Sequence, residues 1–259
     1  AVRRRSVVEL GGQDAKIITF AADGGGGVEL QMNDRCAAGT GATIDRVLRR
    51  LGLPSHALAE LVLSGDLQVA AKCGVFAETD IVNLMQSGAT PVEALSALAR
   101  AIVLQNLAVL ARGRVLRAPV LLLGGPHAHL PLLRQAWQEA LAELWRKRGA
   151  APGSVEAPRF SELYVAWGAA RHALARGRAL SVVVRPGASH RDDGPLLEPG
   201  DPPEALAAVR CRPTRVAAAE SGALHLGLDA GSTTIKAVLL DAHGTLLSSS
   251  YGPTTGQPV

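Results

Sequence analysis

Aromatic side chains are scarce in this chain: Phe, Trp and Tyr together make up 3% of its 259 residues. A surface that binds nucleic acid usually combines clustered basic residues with stacking rings. Here the 27 Lys and Arg residues give a formal net charge of only +4, and nearly all of them are arginines scattered along predicted helices. Scattered arginines are typical of a solvated surface, so we expect no nucleic-acid partner.

Cysteine is also rare, since the chain contains only Cys36, Cys73 and Cys211. An odd count at wide spacing argues against the disulfide framework of a small secreted domain and indicates a reducing compartment. No apolar run approaches the roughly 18 to 20 residues that span a bilayer, and the first residues show no signal-peptide pattern. We therefore expect a cytoplasmic protein without membrane contact, whose 47% hydrophobic content is ample for a buried core.

Three strands are predicted near the N-terminus, over residues 6–10, 15–20 and 28–32. The turn between the first two is Gly11-Gly12-Gln13-Asp14. Glycines there let backbone N–H groups approach an anion closely, and Asp14 offers a carboxylate to a metal or a water molecule. A plain hairpin turn is the alternative for this tetrapeptide.

Cys36 and Cys73 each precede a stretch that is predicted to be helical, over residues 40–51 and 75–85. A thiol at a helix N-terminus has a lowered pKa, because unpaired N–H groups and the helix dipole stabilise the thiolate. Two thiolates do not fill a four-thiolate site. If these cysteines bind a cubane cluster, another chain or domain must supply the other ligands.

A continuous apolar run over residues 118–123 predicts a buried parallel strand that ends at Gly124-Gly125-Pro126. Glycine pairs at such strand ends are common ligand-contact points in α/β folds. The remaining predicted helices begin near His56 or cover residues 91–111, 132–146 and 161–174.

Residues 176–222 contain several prolines and little periodicity, which predicts a connector with one strand at 179–184. The sequence then predicts three further strands over residues 224–250, with the turn Asp229-Ala230-Gly231-Ser232-Thr233-Thr234 between the first two. Such a turn can wrap a phosphate, because its hydroxyls and backbone N–H groups donate and Asp229 lies where a magnesium ion or its waters can be held. A Ser/Thr-rich hairpin turn is the alternative.

Several of these stretches together resemble one family. They are residues 9–14, residues 32–41 with the run Cys-Ala-Ala-Gly-Thr-Gly, residues 73–78 and the pair Gly124-Gly125. In these motifs residues 6–175 are similar to the ATP-dependent activators of 2-hydroxyacyl-CoA dehydratases and benzoyl-CoA reductases. Residues 226–237 resemble the first phosphate motif that opens the same ATPase fold, as in the tandem-repeat branch of the family.

The resemblance implies an α/β fold of the actin/hexokinase/Hsp70-like (ribonuclease H-like) class, incomplete in this chain. Residues 1–175 would be the C-terminal part of a first ATPase repeat, 176–222 a connector, and 223–259 the opening strands of a second repeat. The implied cofactors are ATP or ADP, Mg²⁺ and a [4Fe–4S] cluster shared with a second chain or the sister repeat. One electron from ferredoxin or flavodoxin would pass through the cluster to an iron–sulfur enzyme of the 2-hydroxyacyl-CoA dehydratase type, driven by ATP hydrolysis.

The resemblance also implies roles for individual residues. Cys36 and Cys73 match the cluster ligands, and Glu9 stands where many relatives have Asp, so that it would reach magnesium through a water. The catalytic set is Glu9, Gln13 and Asp14, and the nucleotide-binding set is Gly11, Gly12, Gly124, Gly125, Asp229, Gly231, Ser232, Thr233 and Thr234.

Two questions stay open at the level of sequence. The chain is either a fragment of a longer protein, which we favour, or a permuted domain in which residues 229–234 fold back onto the first repeat. The alternative functions are a sugar-kinase-like phosphotransferase with structural cysteines and a non-catalytic interaction fragment. Cys211 has Arg on both sides and is expected to be a free surface thiol.

Overall fold

The computed structural model describes residues 6–21, 27–33, 40–53, 55–69, 74–176 and 223–254. All three cysteines and the strand predicted at 179–184 lie outside these residues. Contacts divide the chain into two units. The first is Ala1–Tyr164 together with the turn Gly231–Thr233, and the second is Val165–Ala230 with Thr234–Val259.

The first unit is built on a five-stranded sheet in the order β3-β2-β1-β4-β5. Strands β1, β2 and β3 form an antiparallel meander, and β4 and β5 run parallel to β1. The three predicted N-terminal strands are confirmed to within one residue, whereas β5 was not predicted because two residues carry no periodic signal. The bounds are β1 Ser6–Leu10, β2 Ala15–Phe20, β3 Val28–Asn33, β4 Val120–Leu123 and β5 Val155–Glu156.

The strand β4 is apolar throughout because both faces of the sheet are covered there. On one face, Val8, Leu10 and Ile17 belong to the main core, which the helices of the unit complete. On the other face, Val7 packs with Leu121 and Leu123 in a smaller cluster. A strand that is buried on both faces shows a continuous apolar run in place of alternation, as the sequence of β4 does.

Four helices of the first unit follow the predicted pattern with small shifts, and a fifth, the short helix α4, lies where the sequence analysis expected a loop. The helix α1 ends at Gly52, whose φ of 63° is left-handed and suits glycine. The helix α3 begins with a capping box, in which Thr90 accepts from the Glu93 amide and the Glu93 carboxylate accepts from the Thr90 amide. Their bounds are α1 Gly41–Leu51, α2 Gly74–Gln86, α3 Pro91–Asn106, α4 Gly125–His129 and α5 Pro131–Lys147.

Two sequence expectations need correction. The helix predicted from near His56 is a 3₁₀ turn, Ser55–Glu60, because so short a segment cannot sustain an α-helix without a longer packed face. The segment Pro91–Ala111, which is α3 followed by a π-helical turn, is long and apolar enough to cross a membrane by length and composition. Of its most apolar 18-residue stretch, 67% is buried inside the protein, as expected for a core helix.

The second unit contains the helix α6, Tyr164–Arg176, and an antiparallel sheet of three strands in the order β6-β7-β8. Gly227 of β6 lies against α6: a Cβ at Gly227 would overlap the carbonyl oxygen of Ala166 and lie 2.9 Å from the Cβ of Ala170. The small side chains of Ala166 and Ala170 thus allow α6 to pack closely against β6. The strands are β6 His225–Ala230, β7 Thr234–Leu240 and β8 Leu246–Pro253.

Candidate functional site

The predicted phosphate turn is a tight connection between β1 and β2. The Gly11 amide donates to the Asp14 carbonyl oxygen at 2.9 Å and closes the turn. A Cβ at Gly11 would overlap the Asp14 carboxylate, and a Cβ at Gly12 would overlap the Thr233 side chain. Only glycine therefore lets the Asp14 and Thr233 side chains lie so close to the backbone at these two positions. Gln13 is exposed at the tip of the turn.

A lysine that the sequence analysis missed binds both carboxylates of this turn. The Lys16 ammonium lies 2.8 Å from Glu9 Oε2 and 2.6 Å from Asp14 Oδ2. Burial works to lower the pKa of Lys16, but the hydrogen bonds and charges of Asp14 and Glu9 outweigh burial and raise the pKa above its usual value. Lys16 is therefore a permanent cation at neutral pH.

The helix α1 is anchored on the same turn. The amides of Gly41 and Ala42 donate to the carbonyl oxygens of Gly11 and Gly12, at 2.9 and 2.7 Å. A Cβ at Gly41 would lie 3.1 Å from the Gly11 oxygen, 3.2 Å from Pro126 Cγ and 3.3 Å from Gly12 Cα. The first two N–H groups of α1 thus donate to the turn and are not available to a thiolate or an anion.

The glycine pair Gly124-Gly125 of the predicted nucleotide-binding set follows β4. Gly124 has φ 97° and ψ 164°, a combination that is accessible essentially to glycine alone. Its amide donates to the Ser161 carbonyl oxygen at 3.1 Å, and a Cβ on it would overlap the Leu10 carbonyl oxygen. Gly125 is the first residue of α4, so the glycine pair allows the chain to turn tightly from β4 into that helix.

A buried histidine supports this turn, and the sequence analysis gave no signal for it. His127 is fully buried, and its Nδ1 donates to the Leu123 carbonyl oxygen at 2.7 Å. Its ring meets Trp137 edge-on, with the ring centroids 6.1 Å apart. Burial lowers the pKa of His127 to about 4, so the imidazole is neutral and acts as a fixed donor that holds the end of β4.

The second predicted phosphate turn connects β6 and β7. Asp229 Oδ2 accepts from the Lys236 ammonium at 2.9 Å, and Thr234 is the first residue of β7. Gly231, Ser232 and Thr233 belong to the first unit, where the Thr233 side chain meets Gly12. The division of the chain into repeats, and the choice between a fragment and a permuted domain, stay predictions.

The cluster cysteines cannot be placed, because Cys36 and Cys73 lie outside the described residues. Within the described ranges no group of three or more His, Cys, Asp and Glu residues is arranged to hold a metal ion. The helices that follow the two cysteines are nevertheless joined, since Arg46 of α1 forms an ion pair with Glu78 of α2. That pair is partly exposed, so its role is to orient the helices more than to stabilise them.

Comparison with known proteins agrees with this architecture. Uncharacterized protein YjiL of Escherichia coli is 33% identical over 122 residues, which are 47% of either chain. The (R)-2-hydroxyglutaryl-CoA dehydratase activating ATPase of Acidaminococcus fermentans is 33% identical over 99 residues, 38% of this chain and 37% of the relative. The chain thus spans about half or less of the length of these curated relatives.

Among solved structures, the activator of the 2-hydroxyisocaproyl-CoA dehydratase from Clostridium difficile with bound ADPNP superposes with a TM-score of 0.51 at 20% identity. The match covers 70% of this chain and 66% of that one. It confirms the actin/hexokinase/Hsp70-like fold. The model of the BadF/BadG/BcrA/BcrD ATPase family matches residues 1–173, and the chain therefore belongs to that family.

Proposed function

We propose that this chain is part of an ATP-dependent reductive activator. It would pass low-potential electrons through a [4Fe–4S] cluster to an iron–sulfur enzyme of the 2-hydroxyacyl-CoA dehydratase type. Membership of an ATPase family and the activator names of its relatives support this proposal. The electron donor would be ferredoxin or flavodoxin in the cytoplasm.

The observation that carries the proposal is the direct link between the phosphate turn and α1. Two backbone hydrogen bonds, at 2.9 and 2.7 Å, join the carbonyl groups of the turn to the start of the helix that follows Cys36 in sequence. Because packed elements shift as rigid bodies, a displacement of Gly11 and Gly12 on nucleotide binding moves α1 as well. ATP binding is thereby coupled to the segment that carries a cluster ligand.

The nucleotide site follows from the same turn. The Gly11 and Gly12 backbone would face the phosphates, and the hydroxyls and backbone N–H groups of Gly231, Ser232 and Thr233 would be a second set of donors. Gly124 and Gly125 would contact the adenosine. Glu9, Gln13 and Asp14 would then orient the attacking water, since their polar groups lie at the end of β1 and in the turn itself.

Magnesium fits the donor set of this turn. Glu9 and Asp14 are partly buried carboxylates that already share one cation, the Lys16 ammonium, and carboxylate oxygens are the ligands that Mg²⁺ prefers. Bound there with the nucleotide, magnesium would neutralise charge on the phosphates.

The cluster would be held by Cys36 and Cys73 of two chains or of two repeats. Two thiolates per chain supply half of a four-thiolate site, so a pair of chains completes it. The ion pair between Arg46 and Glu78 supports this arrangement, because it keeps the helices that follow both cysteines side by side.

ATP hydrolysis by the full chain under anaerobic conditions tests the proposal. In Gly12→Val the added side chain overlaps Thr233 and blocks the approach of phosphates, so hydrolysis and ATP-dependent electron transfer to a low-potential acceptor should both be lost. The matched control is Gly168→Val on α6, because no atom lies within 4 Å of the added Cβ there. Wild-type turnover in Gly12→Val would contradict the assignment.

A further inference from the structure

The hairpins β1–β2 and β6–β7 share one arrangement of charged side chains. In each, a carboxylate near the end of the first strand is paired in register with a lysine of the second, Glu9 with Lys16 and Asp229 with Lys236. The corresponding N–O distances are 2.8 and 2.9 Å. The spacing from carboxylate to lysine is the same in both sequences, so the pairing is a repeated feature of the two phosphate turns.

The two lysines differ in what else they reach. Lys16 also binds Asp14 at 2.6 Å, whereas the position equivalent to Asp14 in the second hairpin is Thr234, which has no charge. The first hairpin therefore places two carboxylates and one ammonium beside Gly11 and Gly12. The three side chains are only 13 to 29% exposed, so solvent screens their charges incompletely.

These charges decide what the turn can bind. Glu9 and Asp14 without Lys16 would present a charge of about −2, which attracts a free divalent cation and repels a nucleoside phosphate. With Lys16 the net charge is about −1, and the oxygens that face the ammonium are already engaged. Since both consequences come from one side chain, its removal changes cation binding and anion binding in opposite directions.

We propose that Lys16 is the resident cation of the phosphate turn. Its ammonium occupies oxygens of Glu9 and Asp14, which weakens the binding of free divalent cations to these carboxylates. It also lowers the electrostatic repulsion between the carboxylates and an incoming nucleotide. The metal ion therefore enters together with the nucleotide. The inference rests on the proposed nucleotide site. Lys16 is a positioning residue, because it acts through the two carboxylates.

The test measures Mn²⁺ and ADP binding separately on the full chain with Lys16→Gln. Free Mn²⁺, followed by electron paramagnetic resonance without nucleotide, should bind about tenfold more tightly than to the wild type, because two carboxylates are released. ADP in the presence of EDTA, followed by calorimetry, should bind about tenfold more weakly, because the repulsion is no longer offset. Lys16→Arg keeps the charge and should restore both affinities towards the wild-type values.

The control is Lys147→Gln, which releases the exposed carboxylate of Glu143 from its lysine at 3.2 Å and should leave both affinities unchanged. A general loss of structure in Lys16→Gln would weaken the binding of both Mn²⁺ and ADP. Unchanged affinities would mean that Lys16 influences the binding of neither ligand. Either result overturns the proposal. Glu9→Gln gives an independent test, because it should strengthen ADP binding in EDTA without creating a tight Mn²⁺ site.

The outcome also separates this inference from the proposed function. If the wild type binds no ADP with or without metal, the nucleotide site is wrong. The Mn²⁺ measurement still decides in that case whether Lys16 controls the carboxylate pair.

Discussion

Replacing Gly41 by alanine tests the link between the phosphate turn and α1. The new Cβ would lie 3.1 Å from the Gly11 oxygen and 3.2 Å from Pro126 Cγ, so a neighbour must give way by a few tenths of an ångström. The hydrogen bond from Gly41, now 2.9 Å, lengthens as α1 withdraws. Overpacking of this kind costs about 1–3 kcal/mol, and the better helix propensity of alanine offsets up to about 1 kcal/mol of it.

Gly168→Ala is the matched control, because Gly168 is also helical and its Cβ would meet nothing within 4 Å. That variant should gain up to about 1 kcal/mol from propensity alone. The free energies of unfolding of the two variants in urea should therefore differ by about 1–3 kcal/mol, with Gly41→Ala the less stable. Because α1 would be displaced while the turn persists, Gly41→Ala should retain ATP hydrolysis but lose most ATP-dependent electron transfer. Equal stabilities together with unimpaired electron transfer would refute the coupling.

Three further outcomes are expected. Gly124→Ala should destabilise the protein by about 1–3 kcal/mol from backbone strain alone, and more from its overlap with the Leu10 carbonyl group; urea unfolding indistinguishable from the wild type would contradict this. Gly125→Leu should weaken ADP binding in calorimetry, and unchanged affinity would place the adenosine elsewhere. Since burial lowers the pKa of His127 from 6.5 to about 4, the unfolded chain binds a proton that the folded chain rejects as the pH falls through this window. Stability should fall by about 3 kcal/mol between pH 6.5 and 4, and His127→Gln should lack that part of the pH dependence.

The strands and turns of the candidate site could be predicted because their signals are local. Apolar runs interrupted by Gly11-Gly12 and by Gly124-Gly125 predict strands that end in tight turns, and the structure has both. The glycines were a reliable signal of these turns, because a Cβ at Gly12 or Gly124 would overlap neighbouring atoms and only glycine fits there.

The contacts between these elements could not be predicted in the same way. Lys16 was missed because only the register of β1 and β2 places it opposite Glu9 and within reach of Asp14. The anchoring of α1 on the turn joins Gly41 to Gly11 across the strands β2 and β3, and a contact between residues so far apart in sequence leaves no local signal. His127 was missed as well, since its role depends on complete burial against Trp137 and leaves no mark in the sequence.

The central proposal is that this member of the BadF/BadG/BcrA/BcrD ATPase family carries a cluster held by Cys36 and Cys73. Its most direct test is the iron and acid-labile sulfide content of the full chain after anaerobic purification. We predict about four irons and four sulfides per pair of chains, or per chain if the sister repeat completes the site. Cys36→Ser and Cys73→Ser should each lose them while keeping their secondary structure, and Cys211→Ser should keep the full complement. A full complement of iron in Cys73→Ser would contradict the claim.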